Sequence, residues 1–134
     1  MNKHLLLCDD EIHILRAAEF KLKRAGYDVR IASDGQEGWE LARQQVPDLV
    51  VTDLQMPRMN GFELAEKLRS IPATVDVPII MLTAKGFELE QQAIVEQFGI
   101  IAVLAKPFSP RELLRMVDET LASHHEQQPV GAVS

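Results

Sequence analysis

Cysteine and tryptophan are scarce in this sequence, which holds one of each. A single cysteine, Cys8, cannot form an internal disulfide and has no partner at metal-site spacing, so we expect a small buried apolar residue rather than a redox sensor. Long apolar runs are missing too, since none approaches the roughly 20 residues that a membrane-spanning helix needs. The N-terminal stretch MNKHLLLCDDE reaches two acids too early for a signal peptide. We therefore expect a cytoplasmic protein with no membrane partner.

Basic residues are also outnumbered. The sequence has 14 lysines and arginines against 20 aspartates and glutamates, which gives a net charge of −6. Because binding to nucleic-acid phosphates depends on a basic surface, we expect no direct contact with DNA or RNA.

The remaining composition is that of an ordinary globular domain. The chain has 134 residues, of which 46% are hydrophobic and 25% are charged. This length fits one domain with a sizeable core. We assign the domain to residues 1–123, and we assign residues 124–134, which show no apolar periodicity, to a flexible tail or the stub of a linker.

The apolar spacing alternates between strand-like and helix-like stretches along the chain. Strands are predicted over residues 4–8, 28–32, 49–52, 77–82 and 101–105, with the second at an edge of the sheet; helices are predicted over 11–26, 34–47, 61–69, 88–98 and 109–123. Capping-box patterns open two of the helices, with Asp34 before Glu37 and Ser109 before Glu112. Since successive parallel strands need helical crossovers, the alternation predicts an α/β fold with a parallel sheet covered on both faces.

Polar residues stand where four of the predicted strands end. The first strand is followed by Asp9 and Asp10, the third by Asp53, the fourth by Thr83 and the fifth by Lys106. Each residue alone is common where a strand enters a turn. Ligands of parallel α/β sheets bind beyond the carboxyl ends of the strands, so the whole set predicts a functional site at that edge.

The composition of this set indicates a metal and a phosphoryl group. Three clustered carboxylates repel one another, so at least one of their pKa values should be raised. Mg²⁺ prefers about six oxygen ligands, and Asp10, Asp53 and a loop carbonyl could supply part of that shell. Lys106 would add a positive charge and Thr83 a hydroxyl donor beside an oxygen-rich ligand.

Four motifs carry a family resemblance, and they occur in the family's order and spacing: LLLCDDE, DLVVTDLQMPRMNGFEL, PIIMLTA and LAKPF. With them, residues 3 to about 123 resemble the receiver domains of two-component response regulators. The resemblance implies a flavodoxin-like (βα)5 three-layer sandwich, with a parallel five-stranded sheet in the order 2-1-3-4-5.

The resemblance also implies a chemistry. Asp53 would be the phosphoacceptor, taking a phosphoryl group from the phosphohistidine of a sensor histidine kinase or a histidine phosphotransfer protein. Thr83 would donate a hydrogen bond to the phosphoryl group, and Lys106 would form an ion pair with it.

A magnesium ion is part of the implied site. Asp10 and Asp53 would bind Mg²⁺ directly, Asp9 would act through water, and Gln55 would lend its main-chain carbonyl.

The resemblance implies further features around the site. Pro57 and Gly61 would shape the loop after Asp53, Ala84 would leave the phosphate approach open, and the bond between Lys106 and Pro107 would be cis.

Phosphorylation would change the surface around helix 4, strand 5 and helix 5, and so control a downstream effector protein or an output domain. The family usually has an aromatic residue three positions before the lysine, where this chain has Val103. The neighbouring Ile100 and Ile101 are equally unusual. Two interpretations stay open: these residues are strand core, or they form an apolar surface for a homodimer or another partner.

Three other protein classes share part of the pattern. A binding module that had lost phosphorylation would not need the nucleophile, the acidic pair, the threonine and the lysine together. In an FMN-binding flavodoxin the first loop holds a phosphate, which CDDE would repel. A phosphatase of the haloacid dehalogenase type needs a second aspartate two residues after the nucleophile, where this chain has Gln55. We therefore predict a signalling domain and not an enzyme, limited to its own phosphorylation and dephosphorylation.

Overall fold

The computed structural model describes residues 2–84 and 89–127 of the chain. Strands and helices alternate along it: β1 (His4–Cys8), α1 (Ile12–Arg24), β2 (Asp28–Ala32), α2 (Gly35–Gln44), β3 (Leu49–Asp53), α3 (Gly61–Arg69), β4 (Ile79–Thr83), α4 (Leu89–Gln97), β5 (Ile100–Ala105) and α5 (Pro110–Gln127). The predicted alternation is confirmed, and the bounds of β1, β2 and α3 are those predicted from the sequence.

The strands form one parallel sheet in the order β2-β1-β3-β4-β5. Alternate side chains enter different cores, because successive residues of a strand point to opposite faces. Leu6 and Val50 pack with residues of α2, α3 and α4 on one face, whereas Leu5 and Val51 pack with α1 and α5 on the other. The predicted α/β three-layer sandwich with sheet order 2-1-3-4-5 is confirmed.

The third strand is a fully buried support of the site. All five residues of β3 are buried, and Leu49 and Val50 are 0% exposed. Full burial of an aliphatic side chain contributes roughly 1.5–3 kcal/mol, so the strand that ends in Asp53 is held firmly between two cores.

Side-chain caps fix where α2 and α5 begin. The Asp34 side chain accepts a hydrogen bond from the Glu37 backbone N–H at 2.8 Å, as the capping pattern predicts. Glu37 differs from the prediction, because its carboxylate accepts from the N–H of Ser33 rather than from that of Asp34. The box of Ser109 and Glu112 is complete, with bonds of 2.8 and 3.1 Å.

Several predicted boundaries differ from the structure, and two of the differences have a clear physical cause. β4 begins at Ile79 rather than at Val77, because the Val77 N–H is used in a turn with the Thr74 carbonyl and Pro78 has no N–H to donate. The last helix continues to Gln127 instead of ending near Ser123. Residues 124–127 lack an apolar stripe, but glutamate and glutamine have high helix propensity. The rest of the predicted tail, residues 128–134, lies outside the described residues.

The scarce residues identified in the sequence are core residues. Cys8 is 1% exposed, and burial raises the pKa of its thiol, so the expectation of a buried apolar residue is confirmed. Trp39 packs in the core formed with α2 and α3. Across the two described ranges, no helix combines the length and apolar character needed to cross a membrane.

Candidate functional site

Backbone hydrogen bonds bring the predicted site residues to one edge of the sheet. Asp9 follows β1 and donates its N–H to Ala32 of β2, and Asp53 is the last residue of β3. Thr83 ends β4, and its carbonyl accepts a bond from the Lys106 N–H at 2.7 Å. The site therefore lies where β1 is flanked by β2 and β3, the point at which the strand order changes direction.

Three carboxylates meet at this edge. One oxygen each from Asp9, Asp10 and Asp53 lies within 4.8 Å of the others. Asp9 and Asp53 are buried, at 2% and 6% exposure, whereas Asp10 is open to solvent. The cleft above them is lined by Asp10, Glu11, Asp53, Gln55, Ala84 and Lys106. Closely spaced hard oxygen donors suit Mg²⁺, so the residues present fit the predicted ion.

Lys106 supplies the positive charge of the cleft. Its Nζ lies 2.6 Å from Glu11 Oε1, 2.9 Å from Asp9 Oδ2 and 3.4 Å from Asp53 Oδ1, and its side chain is 12% exposed. Burial alone would lower the pKa of Lys106, but the hydrogen bonds to Glu11 and Asp9 outweigh that effect and raise it. The ammonium is therefore firmly charged.

The carboxylates respond to burial and to one another, as the sequence led us to expect. Burial raises the pKa of Asp53 from 3.8 to about 6, repulsion from Asp9 adds to the shift, and Lys106 offsets part of it. Burial also raises the pKa of Asp9, although the Glu11 N–H and Lys106 oppose the shift. A cation bound among these oxygens would relieve their repulsion.

Thr83 brings an unused hydrogen-bond donor into the site. The residue is 3% exposed, and its Oγ1 has no hydrogen-bond partner among the described residues. A buried hydroxyl without a partner costs about 1–3 kcal/mol, so such a group calls for an explanation. An oxygen of a bound anion would satisfy it.

The loop after β3 is clamped to the start of α2. The Gly35 N–H donates to the Met59 carbonyl at 3.1 Å, and Arg58 donates to the Asp34 carboxylate. Gly61 lies so close to the end of β3 that a Cβ there would be 2.5 Å from the Asp53 carbonyl oxygen. This close approach agrees with the predicted role of Gly61 in shaping the loop, and the role of Pro57 in the same loop stays a prediction.

The sequence left open whether the apolar residues of β5 are strand core or an exposed surface, and their exposure settles part of that choice. Ile100 is 5% exposed, and Val103 packs against the core beside α2, α3 and α4, so strand core is the correct interpretation for these two residues. Ile101 is 50% exposed and fits the surface interpretation. The bond between Lys106 and Pro107 is cis, as the resemblance implied.

Sequence reasoning assigned no role to two residues of the site. Glu11 makes the shortest contact of Lys106, across 95 positions of sequence, and Arg58 joins the loop to α2. Glu11 occupies the N-cap of α1, where glutamate is not a preferred cap, and this mismatch was the one available signal. For Arg58 we identify no signal in the sequence that would have predicted its contact with Asp34.

Comparison with known proteins gives consistent matches. A sequence model described as response regulator receiver domain matches residues 5–118. The alkaline phosphatase synthesis transcriptional regulatory protein PhoP of Bacillus subtilis (strain 168) is 42% identical over 113 residues, which make up 84% of this chain and 46% of that protein. The chain thus spans about half the length of this relative.

Two solved structures of similar size share the fold. The chemotaxis response regulator CheY4 of Vibrio cholerae matches with a TM-score of 0.82 and 31% identity, over 89% of this chain and 98% of that one. A CheY-like response regulator receiver domain protein of Methanospirillum hungatei JF-1 matches with a TM-score of 0.86 and 30% identity, over 95% and 99% of the two chains.

Proposed function

Because this chain belongs to the family of response regulator receiver domains, we propose that Asp53 is its phosphoacceptor and that phosphorylation of Asp53 is the signal it transmits. The observation that carries the proposal is that a cation lies beside Asp53 while an unpaired donor ends the neighbouring strand β4. Asp53 Oδ1 lies 3.4 Å from Lys106 Nζ, and the buried Thr83 hydroxyl has no partner among the described residues. Both groups can act on the oxygens of a phosphoryl group.

The reaction needs little beyond positioning and charge neutralisation. A carboxylate oxygen of Asp53 attacks the phosphorus of the phosphohistidine of a kinase or phosphotransfer protein, and an O–P bond forms as the N–P bond breaks. The electron pair of that bond returns to the imidazole nitrogen of the donor. Lys106 pairs with the phosphoryl oxygens during the transfer, and the Thr83 hydroxyl donates to one of them afterwards.

Mg²⁺ belongs to the proposal through the oxygen donors of the cleft. Asp10 and Asp53 would hold the ion directly, Asp9 through water, and Gln55 through its main-chain carbonyl. When bound, Mg²⁺ supplies positive charge that neutralises the phosphoryl oxygens. The cluster of three carboxylates supports this assignment.

The output is proposed to arise on the surface of α4, β5 and α5. A phosphoryl group adds roughly −1.5 to −2 charges beside Thr83 and Lys106, and these residues sit at the ends of β4 and β5. With Val103 in place of the usual aromatic residue, movement of Thr83 and β5 has to carry the change. The exposed Ile101 lies on β5 and would face a downstream effector, an output domain or a second copy of the chain.

Intact mass spectrometry tests the proposed chemistry. The protein is incubated with acetyl phosphate and Mg²⁺, beside Asp53→Asn and beside Asp76→Asn, which removes an exposed acid outside the cleft. We expect one phosphoryl adduct in the wild type and in Asp76→Asn, and none in Asp53→Asn or in EDTA. An adduct that persists in Asp53→Asn, or its absence from the wild type where another receiver domain reacts, would refute the proposal.

A further inference from the structure

Glu11 occupies a helix cap without capping the helix. It is the N-cap residue of α1, yet its side chain makes no capping hydrogen bond. Its Oε1 instead accepts a hydrogen bond from Lys106 Nζ at 2.6 Å. Glutamate is poorly suited to an N-cap, where serine, aspartate or asparagine would stabilise the helix, so the residue departs from local preference in order to reach the lysine.

Lys106 lies closer to Glu11 and Asp9 than to Asp53. Charge-assisted N–H···O bonds are typically about 2.7–2.9 Å long. Lys106 Nζ lies 2.9 Å from Asp9 and 2.6 Å from Glu11, at or just below that range, but 3.4 Å from Asp53. Asp9 is buried, and its Oδ1 is engaged by the Glu11 N–H at 2.9 Å. The Glu11 side chain is 57% exposed and can turn into solvent. Of the three acidic partners of Lys106, Glu11 is therefore the one free to leave.

We propose that Glu11 is a positioning residue that competes with Asp53 and the incoming phosphoryl group for Lys106, and so restrains phosphorylation. The inference rests on the function proposed above. While Glu11 holds the ammonium, phosphoryl transfer must proceed with Lys106 shared among three carboxylates. When the Glu11 side chain turns into solvent, Lys106 can form its ion pair with the phosphoryl oxygens alone, and its charge then stabilises the transition state.

The variant Glu11→Gln removes the charge that holds Lys106. Phosphorylation by acetyl phosphate should become about two- to fivefold faster at low ionic strength, which is the range of an exposed ion pair. The gain should shrink at high salt, because exposed charges are screened. Glu66→Gln is the matched control, since it removes an exposed acid of α3 outside the cleft, and it should leave the rate unchanged.

The variant Glu11→Asp separates position from charge. Aspartate keeps the negative charge but is one methylene shorter, and at an N-cap it favours the helix N–H groups. Lys106 should then be released, so the rate should rise as in Glu11→Gln while the free energy of unfolding also rises. If Glu11 acted only by repelling the anionic phosphodonor, Glu11→Asp would react at the wild-type rate.

Three measurements on the same proteins decide the matter: the rate of adduct formation, its salt dependence, and the ¹⁵N resonance of the Lys106 ammonium. The inference predicts faster reaction and a shifted Lys106 resonance in both Glu11 variants, and neither change in Glu66→Gln. A shifted resonance with an unchanged rate would overturn it, as would equal acceleration in Glu66→Gln. If the wild type forms no adduct, the proposed function fails first, and the resonance alone would then report the ion pair without any role in phosphorylation.

Discussion

Arg58 and Asp34 join the loop after β3 to the beginning of α2. Arg58 Nε and Nη2 lie 3.0 and 2.5 Å from the same oxygen, Asp34 Oδ2, while Asp34 Oδ1 caps the helix through the Glu37 N–H. Arg58 has a φ of 67°, in the left-handed region that an L-residue with a large side chain seldom adopts. One buried carboxylate thus stabilises both a helix start and a strained residue of the loop that follows Asp53.

Removing the two partners should have unequal effects. Asp34→Ala should lower the free energy of unfolding by about 1–3 kcal/mol, because α2 loses its cap and Arg58 loses its partner. Arg58→Ala should cost less than about 1 kcal/mol, because the guanidinium side chain is 67% exposed. Urea denaturation at pH 7 measures both values. Equal losses in the two variants would contradict the unequal roles assigned to them.

The sequence predicted the framework of the site well because the framework depends on local patterns. A short apolar run located β1 and apolar alternation located β2, and a polar residue follows the end of each of these strands. Parallel strands bring their carboxyl ends to one edge, so Asp9, Asp53 and Lys106 could be placed together before any distance was known.

The remaining features depend on the reach of flexible side chains. Glu11 contacts Lys106 across 95 positions of sequence, and Arg58 contacts Asp34 across 24. Neither contact produces a periodic pattern in the sequence. The end of α5 was missed for a related reason, since its last turn is predicted by helix propensity and not by an apolar stripe. Periodicity detects the faces of helices and strands that pack in a core, and none of these features produces such a pattern.

Gly61→Ala should be strongly destabilising. A Cβ at this position would lie 2.5 Å from the Asp53 carbonyl oxygen and 3.0 Å from Leu54 Cα, both of which are backbone atoms that cannot turn aside. We expect a loss of roughly 3 kcal/mol or more, measured by chemical denaturation. Gly26→Ala is the comparison, since its φ of 103° is strained but nothing lies within 4 Å of the added atom. A smaller loss in Gly61→Ala than in Gly26→Ala would show that the loop after Asp53 yields easily.

Thr83→Val should raise the free energy of unfolding by about 1 kcal/mol. Valine has nearly the same shape and removes a buried hydroxyl that has no partner among the described residues. Thr52→Val is the matched control, because Thr52 is also fully buried but donates to the Asp53 carbonyl at 3.0 Å. That variant should lose about 1 kcal/mol. Denaturation of both in EDTA compares them, and a loss in Thr83→Val would mean that its hydroxyl is already satisfied.

Magnesium should stabilise the folded protein through the three clustered carboxylates. A ligand that binds only the folded state raises its stability, and each 1 kcal/mol raises the Tm of a domain of this size by about 2–8 °C. We expect the Tm in about 10 mM Mg²⁺ to exceed the Tm in EDTA. Asp10→Asn should lose most of the increase, whereas Asp76→Asn should retain it. An equal increase in Asp10→Asn would exclude Asp10 as a metal ligand.

Asp53 should make the protein less stable as the pH rises through the acidic range. The pKa of Asp53 is about 6 in the folded protein and 3.8 in the unfolded chain. Between these two pH values, the folded protein therefore holds a proton that the unfolded chain has lost. Stability falls with rising pH wherever the folded state binds more protons, so this contribution declines from pH 3.8 and is fully lost above about 6. The amide introduced by Asp53→Asn cannot ionise. At pH 7 without metal, Asp53→Asn should therefore be more stable than the wild type by about 1–3 kcal/mol.

Urea denaturation from about pH 4 to pH 7.5 in EDTA measures the difference in stability between Asp53→Asn and the wild type. Asp34→Asn is the comparison, because its effect on stability at pH 7 should have the opposite sign. The hydrogen bond from the Glu37 N–H, with help from Arg58, lowers the pKa of Asp34, so its contribution is present above 3.8 and disappears as the pH falls through the lowered value. Asp34→Asn should accordingly be less stable than the wild type at pH 7. The advantage of Asp53→Asn should grow with pH and level off above about 6, as its folded-state pKa requires. An advantage that does not vary with pH would mean that burial leaves the ionisation of Asp53 unchanged, and its carboxylate would then be fully charged well below neutrality.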